Sequence, residues 1–173
     1  MSYQKNVRIL ILDDNRQMAT LFVVILKAFG FPHPVVSATV EEAQDICQDN
    51  TFDLILVDQL LKRGSGLEFV RWLRNPNTTP MQFVPIIMIS SYSERSRIFD
   101  AIGAGVDEFL VKPVKPIDIA RRIDAVTFKR RKFVRAENYF GPDRRRFKDK
   151  FYNGPFRRAD DMVADEADVF EFD

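Results

Sequence analysis

Five apolar runs of strand length alternate with five segments of helix length, and this alternation constrains the fold more than any other feature of the sequence. The strand-length runs are Val7–Leu12, Val35–Val36, Leu54–Val57, Pro85–Ser90 and Phe109–Val111. The helix-length segments are Gln17–Phe29, Val40–Cys47, Leu67–Arg74, Arg95–Ile102 and Ile117–Lys132. Strand–helix–strand units of this kind make right-handed crossovers between parallel strands. The sequence therefore predicts an α/β fold, a doubly wound five-stranded parallel sheet with helices on both faces.

Three helix boundaries carry local signals of their own. Gly30 and Gly103 each follow an apolar periodic segment, as a glycine at the end of a helix does. Thr39 precedes the second helix with Glu42 three residues later, which is the pattern of a capping box. These residues predict where the first, second and fourth helices end or begin.

Polar residues stand where four of the apolar runs stop. Asp13 and Asp14 follow the first run, Asp58 follows the third, Ser90 ends the fourth, and Lys112 follows the fifth. The carboxyl ends of parallel strands meet at one edge of an open α/β sheet, where ligands bind. Taken singly, the aspartates also fit a helix cap or a solvated strand end. Together they predict one shallow polar pocket.

The chemistry of this set points to phosphoryl transfer. Crowded carboxylates need a hard divalent cation with oxygen ligands, and Mg²⁺ fits best. An aspartate can act as a nucleophile and form an aspartyl phosphate. A lysine and a serine hydroxyl can then neutralise and hold the phosphoryl oxygens. The predicted reaction transfers a phosphoryl group onto the protein itself, which is not an enzyme acting on an external substrate.

Four motifs, "ILDDN", "LILVDQ", "PIIMISS" and "FLVKPV", resemble those of the receiver domain of bacterial response regulators, the CheY-like family, over about residues 5–125. The resemblance implies a phosphoacceptor at Asp58 and a histidine kinase or phosphotransferase as the phosphoryl donor. It further implies that Phe109 is the aromatic switch residue beside Ser90 and Lys112. The implied metal ligands are Asp14 directly, Asp13 as an assisting residue, Asp58 and the backbone carbonyl of Leu60. Leu61-Lys62 departs from the family's usual Met-Pro at that place.

Cysteine use and hydropathy indicate the compartment. Cys47 is the single cysteine, so a disulfide framework is excluded. The first residues lack a signal-peptide pattern, and no apolar run reaches the roughly 20 residues that span a bilayer. We expect a cytoplasmic protein with no membrane partner.

Charge divides the chain at about residue 128, which predicts a receiver domain over residues 1–128 and a mostly disordered tail over residues 129–173. Residues 1–128 are nearly neutral, whereas residues 129–158 carry 12 Lys/Arg against 3 Asp/Glu. Residues 159–173 carry no Lys or Arg and 7 Asp/Glu. Lys129–Lys132 reads as a solvated basic helix end. The acidic segment either folds back on the basic one, docks a partner or keeps the chain soluble.

The tail contains a repeat, "YFGPDRR" from Tyr139 and "YNGPFRR" from Tyr152, in which each Gly-Pro predicts a turn. Arginine binds guanine edges with its two-pronged guanidinium, and aromatic rings stack on bases. Two such units suit a ligand with two guanines and two phosphates, which is cyclic di-GMP. The candidate contact residues are Arg144, Arg145, Arg146, Arg157 and Arg158, aided by Asp143, Asp160 and Asp161, with Tyr139, Phe147, Tyr152 and Phe156 for stacking.

Residues 137–161 are also similar to the arginine-rich segment of the Cle class of CheY-like flagellar regulators. That resemblance implies cyclic di-GMP binding and a flagellar motor switch protein as the partner. Two alternatives remain open from the residues alone. The tail is a protein-docking arm of a plain phosphorelay receiver, or it binds nucleic acid. The acidic segment argues against nucleic acid, since it would repel phosphates.

Overall fold

The computed structural model describes residues 7–91, 93–136 and 139–143. The strands are β1 (Ile9–Leu12), β2 (Val35–Ser37), β3 (Leu54–Asp58), β4 (Ile86–Ser90), β5 (Glu108–Val111), β6 (Phe133–Ala136) and β7 (Tyr139–Pro142). The helices are α1 (Arg16–Ala28), α2 (Val40–Asp49), α3 (Gly66–Arg74), α4 (Arg95–Ala104) and α5 (Pro116–Phe128). Strands β1 to β5 form a parallel sheet in the order β2-β1-β3-β4-β5, which confirms the predicted fold class.

Side chains of the central strands alternate between two apolar cores, one on each face of the sheet. One core joins strand residues such as Ile11 and Leu56 to α1 and α5. The other joins residues such as Leu10 and Ile55 to α2, α3 and α4. Because both faces are covered, β1, β3 and β4 are buried along their whole length. That is why their sequences read as continuous apolar runs and do not alternate.

Helix-end chemistry explains most of the boundaries. Thr39 caps α2 by accepting a hydrogen bond from the Glu42 N–H at 3.2 Å, and Glu42 in turn accepts one from the Ala38 N–H at 2.8 Å. Gly30 follows α1 as predicted, and its N–H donates to the Lys27 carbonyl at 3.0 Å. The end of α4 was predicted at Gly103, but this was wrong. The helix continues to Ala104 and stops at Gly105, whose φ of 94° places it in the left-handed region.

The chain does not leave the body at the end of α5. That helix stops at Phe128, four residues before the predicted Lys132, and an antiparallel hairpin of β6 and β7 follows. The Gly-Pro at 141–142 was predicted as a turn, yet both residues lie in β7. Pro142 pairs with Phe133 at the end of the ladder, where a residue without an N–H is tolerated. Residues 129–136 and 139–143, assigned to the tail by their charge, therefore pack as part of the body.

Aromatic rings dock this hairpin onto the body. Phe133 and Phe140 lie on one side of it and contact Phe83 with ring centroids 5.3 and 5.2 Å away. Tyr139 is buried, and its hydroxyl donates to the Pro142 carbonyl at 2.6 Å. Within the part of the chain described, no helix is long and apolar enough to cross a bilayer.

Candidate phosphoacceptor site

The carboxyl ends of β1, β3, β4 and β5 bring the predicted site residues to one edge of the sheet. Asp58 is the last residue of β3 and stands opposite Ile89, next to Ser90 at the end of β4. Lys112 follows β5, and its N–H donates to the Ser90 carbonyl at 2.7 Å. Asp13 follows β1 and donates its N–H to the Ser37 carbonyl at 3.1 Å. Backbone pairing thus fixes each functional side chain at the edge.

The centre of the site is an ion pair between Lys112 and Asp58. The Lys112 Nζ lies 2.8 Å from Asp58 Oδ2 and 3.9 Å from Asp13 Oδ2. Asp58 is about 7% exposed, and Ser90 is fully buried beneath it. The second Asp58 oxygen, Oδ1, accepts the Leu60 N–H at 3.4 Å. A carboxylate at the edge of the sheet beside an ammonium group has the chemistry to receive a phosphoryl group.

Asp13 is a buried carboxylate with one oxygen unsatisfied. Its Oδ1 accepts the Asn15 N–H at 2.8 Å, while its Oδ2 has no hydrogen-bond donor. Burial raises the pKa of Asp13 above its ordinary value of 3.8, against the opposing effects of the Asn15 N–H and the Lys112 ammonium. The neighbouring carboxylates of Asp58 and Asp14 raise it further. A cation at this oxygen would relieve the unfavourable burial.

Asp14 lies on the rim of the site. Its Oδ2 accepts the Lys62 N–H at 2.6 Å, which ties the β3–α3 loop to the start of α1. Leu61, beside Lys62 in the same unusual dipeptide, packs against the core on the α3 side. The Leu61-Lys62 pair therefore closes the loop over the site by a backbone hydrogen bond and an apolar contact.

The site fits a cation that keeps several of its waters better than one enclosed by protein ligands. Among residues 7–91, 93–136 and 139–143, no three His, Cys, Asp or Glu side chains are arranged to hold a metal ion. Mg²⁺ is commonly bound by only one or two carboxylates and keeps several waters. Asp13, with its unsatisfied oxygen, and Asp14 on the rim are compatible with that requirement. The predicted ligation by Asp58 and the Leu60 carbonyl stays a prediction.

Gly66 allows α3 to start against the end of β3. A Cβ at this position would overlap the Asp58 carbonyl oxygen and would lie 2.8 Å from the Val57 side chain. The Gly66 N–H donates to the Gln59 carbonyl at 3.2 Å. Close backbone approach of this kind needs a residue without a side chain. Gly66 thus fixes the loop that carries Leu60 and Lys62.

Sequence reasoning missed two residues that shape the site. Gln59 directly follows the phosphoacceptor candidate, is about 1% exposed, and has no hydrogen-bond partner for either amide atom of its side chain. Asn15 caps α1 through its side chain, which accepts the Gln17 N–H at 3.0 Å, and its own N–H holds Asp13. An Asn one residue before a helix is a recognisable cap signal, whereas the burial of Gln59 has no local signature.

Three further candidates, Phe109, Tyr139 and Asp143, are among the residues that the structure describes. Phe109 is in β5, pairs with Met88, and packs half-buried against the core on the α3 and α4 side. Tyr139 was predicted as a stacking residue, but it is only about 8% exposed, so it offers little ring surface to a base in this conformation. Asp143 donates its N–H to the Lys132 carbonyl at 2.7 Å. The other tail candidates lie outside the described residues: Arg144, Arg145, Arg146, Phe147, Tyr152, Phe156, Arg157, Arg158, Asp160 and Asp161.

A second cluster of charges, at the opposite end of the sheet, was not predicted. The Asp107 carboxylate accepts hydrogen bonds from the Arg74 Nη2 at 2.9 Å, the Arg130 Nε at 2.8 Å and the Ile86 N–H at 2.9 Å. The Asp107 carbonyl accepts from Arg131, which also donates to the Asp143 carbonyl. Arg130 and Arg131 were predicted as a solvated helix end, and this was wrong because the buried Asp107 attracts both.

The parallel sheet in the order β2-β1-β3-β4-β5, with paired carboxylates, a serine and a lysine at its carboxyl edge, defines a phosphoacceptor class of signalling domain. Residues 9–124 match the family described as the response regulator receiver domain, and the chain belongs to that family. It is the receiver domain of a two-component response regulator. The β6–β7 hairpin lies beyond the matched residues.

Named relatives agree with this assignment. The chain is 29% identical over 119 residues to the phosphate regulon transcriptional regulatory protein PhoB of Escherichia coli K12, covering 69% of this chain and 51% of PhoB. It thus spans about half the length of that relative. Chemotaxis protein CheY4 of Vibrio cholerae has a similar structure, with a TM-score of 0.64 and 24% identity over 69% of this chain and 98% of CheY4.

A further similar structure is the receiver domain of the sensor histidine kinase PA1611 of Pseudomonas aeruginosa PAO1. Its TM-score is 0.62 at 24% identity, covering 68% of this chain and 94% of that one. That structure is described as having a magnesium ion coordinated in the active site cleft.

Proposed function

We propose that Asp58 accepts a phosphoryl group from a phosphohistidine of a histidine kinase or phosphotransferase. The observation that carries this proposal is the Lys112 ammonium held 2.8 Å from the Asp58 carboxylate at the end of β3. A carboxylate oxygen of Asp58 attacks phosphorus, the P–N bond to the imidazole breaks, and the imidazole leaves with its electron pair. Lys112 then exchanges its contact with the Asp58 carboxylate for one with a phosphoryl oxygen.

A divalent cation held by Asp13 and Asp14, with Asp58, would neutralise charge on the transferring phosphoryl group. The unsatisfied Oδ2 of Asp13 supports such a cation here, as does the magnesium described in the PA1611 receiver. The role of this chain's residues is to hold that charge close to Asp58 and to keep Lys112 on its other side. We propose Mg²⁺ as the cation.

Ser90 and Phe109 form the proposed readout. Ser90 is buried at the end of β4 next to Asp58, and Phe109 lies half-buried on the neighbouring strand. A phosphoryl group adds negative charge and acceptor oxygens at the edge of the sheet. The Ser90 hydroxyl moves toward it, Phe109 turns inward, and the surface of α4, β5 and α5 changes for a partner protein.

The test is phosphorylation by acetyl phosphate with and without Mg²⁺, read by intact-protein mass spectrometry. The wild type should gain one phosphoryl group that depends on Mg²⁺, and Asp58→Asn should gain none. Asp124→Asn is the matched control, because Asp124 is exposed on α5 and this substitution removes the same charge as Asp58→Asn. A phosphoryl group retained by Asp58→Asn would place the acceptor elsewhere.

We also propose that the arginine-rich segment binds cyclic di-GMP and directs the protein to a partner such as the flagellar motor switch. The support is the repeat of an aromatic residue, Gly-Pro and two arginines in the sequence. Because Tyr139 is buried, the proposed contacts are the arginines, the acidic residues and the other three aromatic candidates, Phe147, Tyr152 and Phe156. A docking arm without nucleotide binding and a nucleic-acid-binding tail are the alternatives.

Calorimetry separates these possibilities. Cyclic di-GMP, GTP and a short single-stranded RNA are titrated into the full chain and into a chain ending at Asp143, which keeps the docked hairpin. Binding of cyclic di-GMP alone, and only by the full chain, supports the proposal. Equal weak binding of all three ligands indicates a general basic arm, and no binding at all leaves protein docking.

A further inference from the structure

A pocket of about 320 Å³ lies between the ends of α3 and α4 and the hairpin. Its lining includes Arg71 and Asn75 from the end of α3, Ala104 from the end of α4, and Arg135 and Phe140 from the hairpin. Both helices end here, at the amino ends of the strands, whereas Asp58 lies at the carboxyl ends. The pocket is therefore separate from the phosphoacceptor site.

The pocket presents positive charge that the described residues do not balance. Arg74 lines it too, but the Asp107 carboxylate neutralises this arginine at 2.9 Å. Arg71 and Arg135 are exposed and make no ion pair with any residue of 7–91, 93–136 or 139–143. Among the lining residues that the structure describes, there is no Asp or Glu. Two guanidinium groups around one pocket repel each other unless an anion lies between them.

Arg135 is already held in position for such a contact. Its guanidinium carbon lies 4.9 Å from the centre of the Phe140 ring, so the planar group is supported by an aromatic side chain. A guanidinium offers carboxylates a fixed pair of N–H donors. The apolar part of the lining, with Ala104 and Phe140, offers a surface for an aromatic or aliphatic side chain. The pocket thus combines features that an acidic peptide with apolar residues would recognise.

We propose that the acidic segment of this chain, residues 159–173, docks in the pocket of Arg71 and Arg135. The segment carries seven carboxylates, no Lys or Arg, and two aromatic residues, Phe170 and Phe172. It is separated from Asp143, at the end of the hairpin that lines the pocket, by a stretch of 15 residues. A stretch of that length extends up to about 50 Å, so reach is no obstacle.

Covalent connection favours this occupant over a free acidic peptide. A tethered segment is present at an effective concentration of up to the order of millimolar, whatever the concentration of the protein. Residues 144–158 compete for the same acidic residues, because they are also rich in arginine. What distinguishes the pocket is its combination of two guanidinium groups, one of them stacked on Phe140, with an apolar wall.

The test is a set of ¹H–¹⁵N NMR spectra of the full chain. In Arg71→Gln/Arg135→Gln, the amide signals of residues 159–173 should move toward the positions that they take in roughly 1 M salt, where charges are screened within about 3 Å. The double variant Lys27→Gln/Arg121→Gln is the control. It removes the same charge from exposed positions on α1 and α5 and should leave those signals in place.

A chain ending at Arg158 gives the reciprocal measurement, in which the amide signals of Arg71, Gly103 and Arg135 should shift. The proposal is overturned if the amide signals of residues 159–173 keep their wild-type positions in Arg71→Gln/Arg135→Gln. It is also overturned if they move only when the arginines of residues 144–158 are replaced, since the acidic segment would then pair with the basic one.

Discussion

The buried carboxylate of Asp13 lowers the stability of the fold, and it is also a proposed ligand of the cation. Its carboxylate is about 2% exposed and one of its oxygens has no donor, which is unfavourable for a charged group. Lys112, whose ammonium group lies 3.9 Å from that oxygen, offsets only part of this cost. Unfavourable burial of this kind is expected where a residue has a binding role. Substitution of Asp13 should therefore raise stability while it impairs function.

Asp13→Asn should therefore stabilise the protein at neutral pH without Mg²⁺, by about 1–3 kcal/mol. Because the folded-state pKa of Asp13 is raised, the wild type regains stability as the pH falls through that pKa toward 3.8. The advantage of the variant should thus be largest at neutral pH and shrink on acidification. Urea unfolding of both proteins in EDTA, across this range of pH, measures the difference in their free energies of unfolding. A variant less stable than the wild type at pH 7 would contradict the expectation.

Asp107 is the residue on which the second charge cluster depends. Arg74 is buried, which lowers the pKa of its guanidinium to about 10, so it is still a cation at neutral pH. Three of its other N–H donors bind the carbonyls of Gln82, Val84 and Gly105. Without the Asp107 carboxylate, the guanidinium would be a buried charge with no counter-ion.

Asp107→Asn should destabilise the fold by about 3–5 kcal/mol, the usual cost of leaving one member of a buried ion pair without its counter-ion. Glu108→Gln is a control from the next position with the same change of charge. Glu108 pairs with Arg122, whose side chain is about 36% exposed, so its loss should cost less than the loss of Asp107. Urea unfolding of both variants provides the comparison, and equal effects would show that the enclosure of Arg74 does not matter.

At the scale of the element, the hairpin is positioned by a contact between two glycines. A Cβ on Gly141 would lie 2.7 Å from the Gly105 Cα and 2.7 Å from the Tyr139 hydroxyl. A Cβ on Gly105 would lie 2.7 Å from the Phe140 carbonyl oxygen. The end of α4 and strand β7 therefore meet backbone to backbone, and α4 is held at that end.

Gly141→Ala should displace the hairpin and lower the free energy of unfolding, because the neighbours on both sides are backbone or a hydrogen-bonded ring. Gly103→Ala is the matched control, since a Cβ there meets nothing within 4 Å. In the helix interior that change should be neutral or stabilise by up to about 1 kcal/mol. Thermal unfolding compares the stability of the two variants. An unchanged melting temperature for Gly141→Ala would show that the two backbone segments can move apart at little energetic cost.

The five-stranded sheet and the gathering of polar residues at its carboxyl edge were predictable because each depends on local pattern. Apolar runs mark the strands, and the polar residues that stop them mark the site. The hairpin was not predictable in the same way. Asp107 meets Arg74 and Arg130 from 33 and 23 residues away, and basic residues near a helix end read as solvated until their partner is known. The Asp107 cluster is thus a product of tertiary structure alone.

At the scale of the whole molecule, the folding unit extends past the point where the charge of the sequence changes. The matched family ends at residue 124, and the docked structure continues to Asp143. Phe133, Tyr139 and the Asp107 cluster tie the added residues to α3, α4 and the loop before β4. A boundary placed at residue 128 would divide this unit.

A chain ending at Lys132 should accordingly be less stable than one ending at Asp143 by more than about 3 kcal/mol, the lower range for the loss of one buried aromatic side chain. The longer chain should unfold close to the denaturant concentration of the full protein, lower only by the contribution of the docked residues 159–173. Circular dichroism during urea unfolding gives all three midpoints. If the two shortened chains were equally stable, the hairpin would contribute nothing to the body.

The contact between Gly105 and Gly141 also provides a way to recognise other receivers built like this one. A relative that carries a side chain at either position cannot seat its extension in the same register, whatever charge or length that extension has. Glycine at both positions, together with an acidic residue two places after the first, would therefore mark chains that share the hairpin. Such a marker would sort receiver domains by the extension after their last helix, a feature about which the phosphoacceptor motifs carry no information.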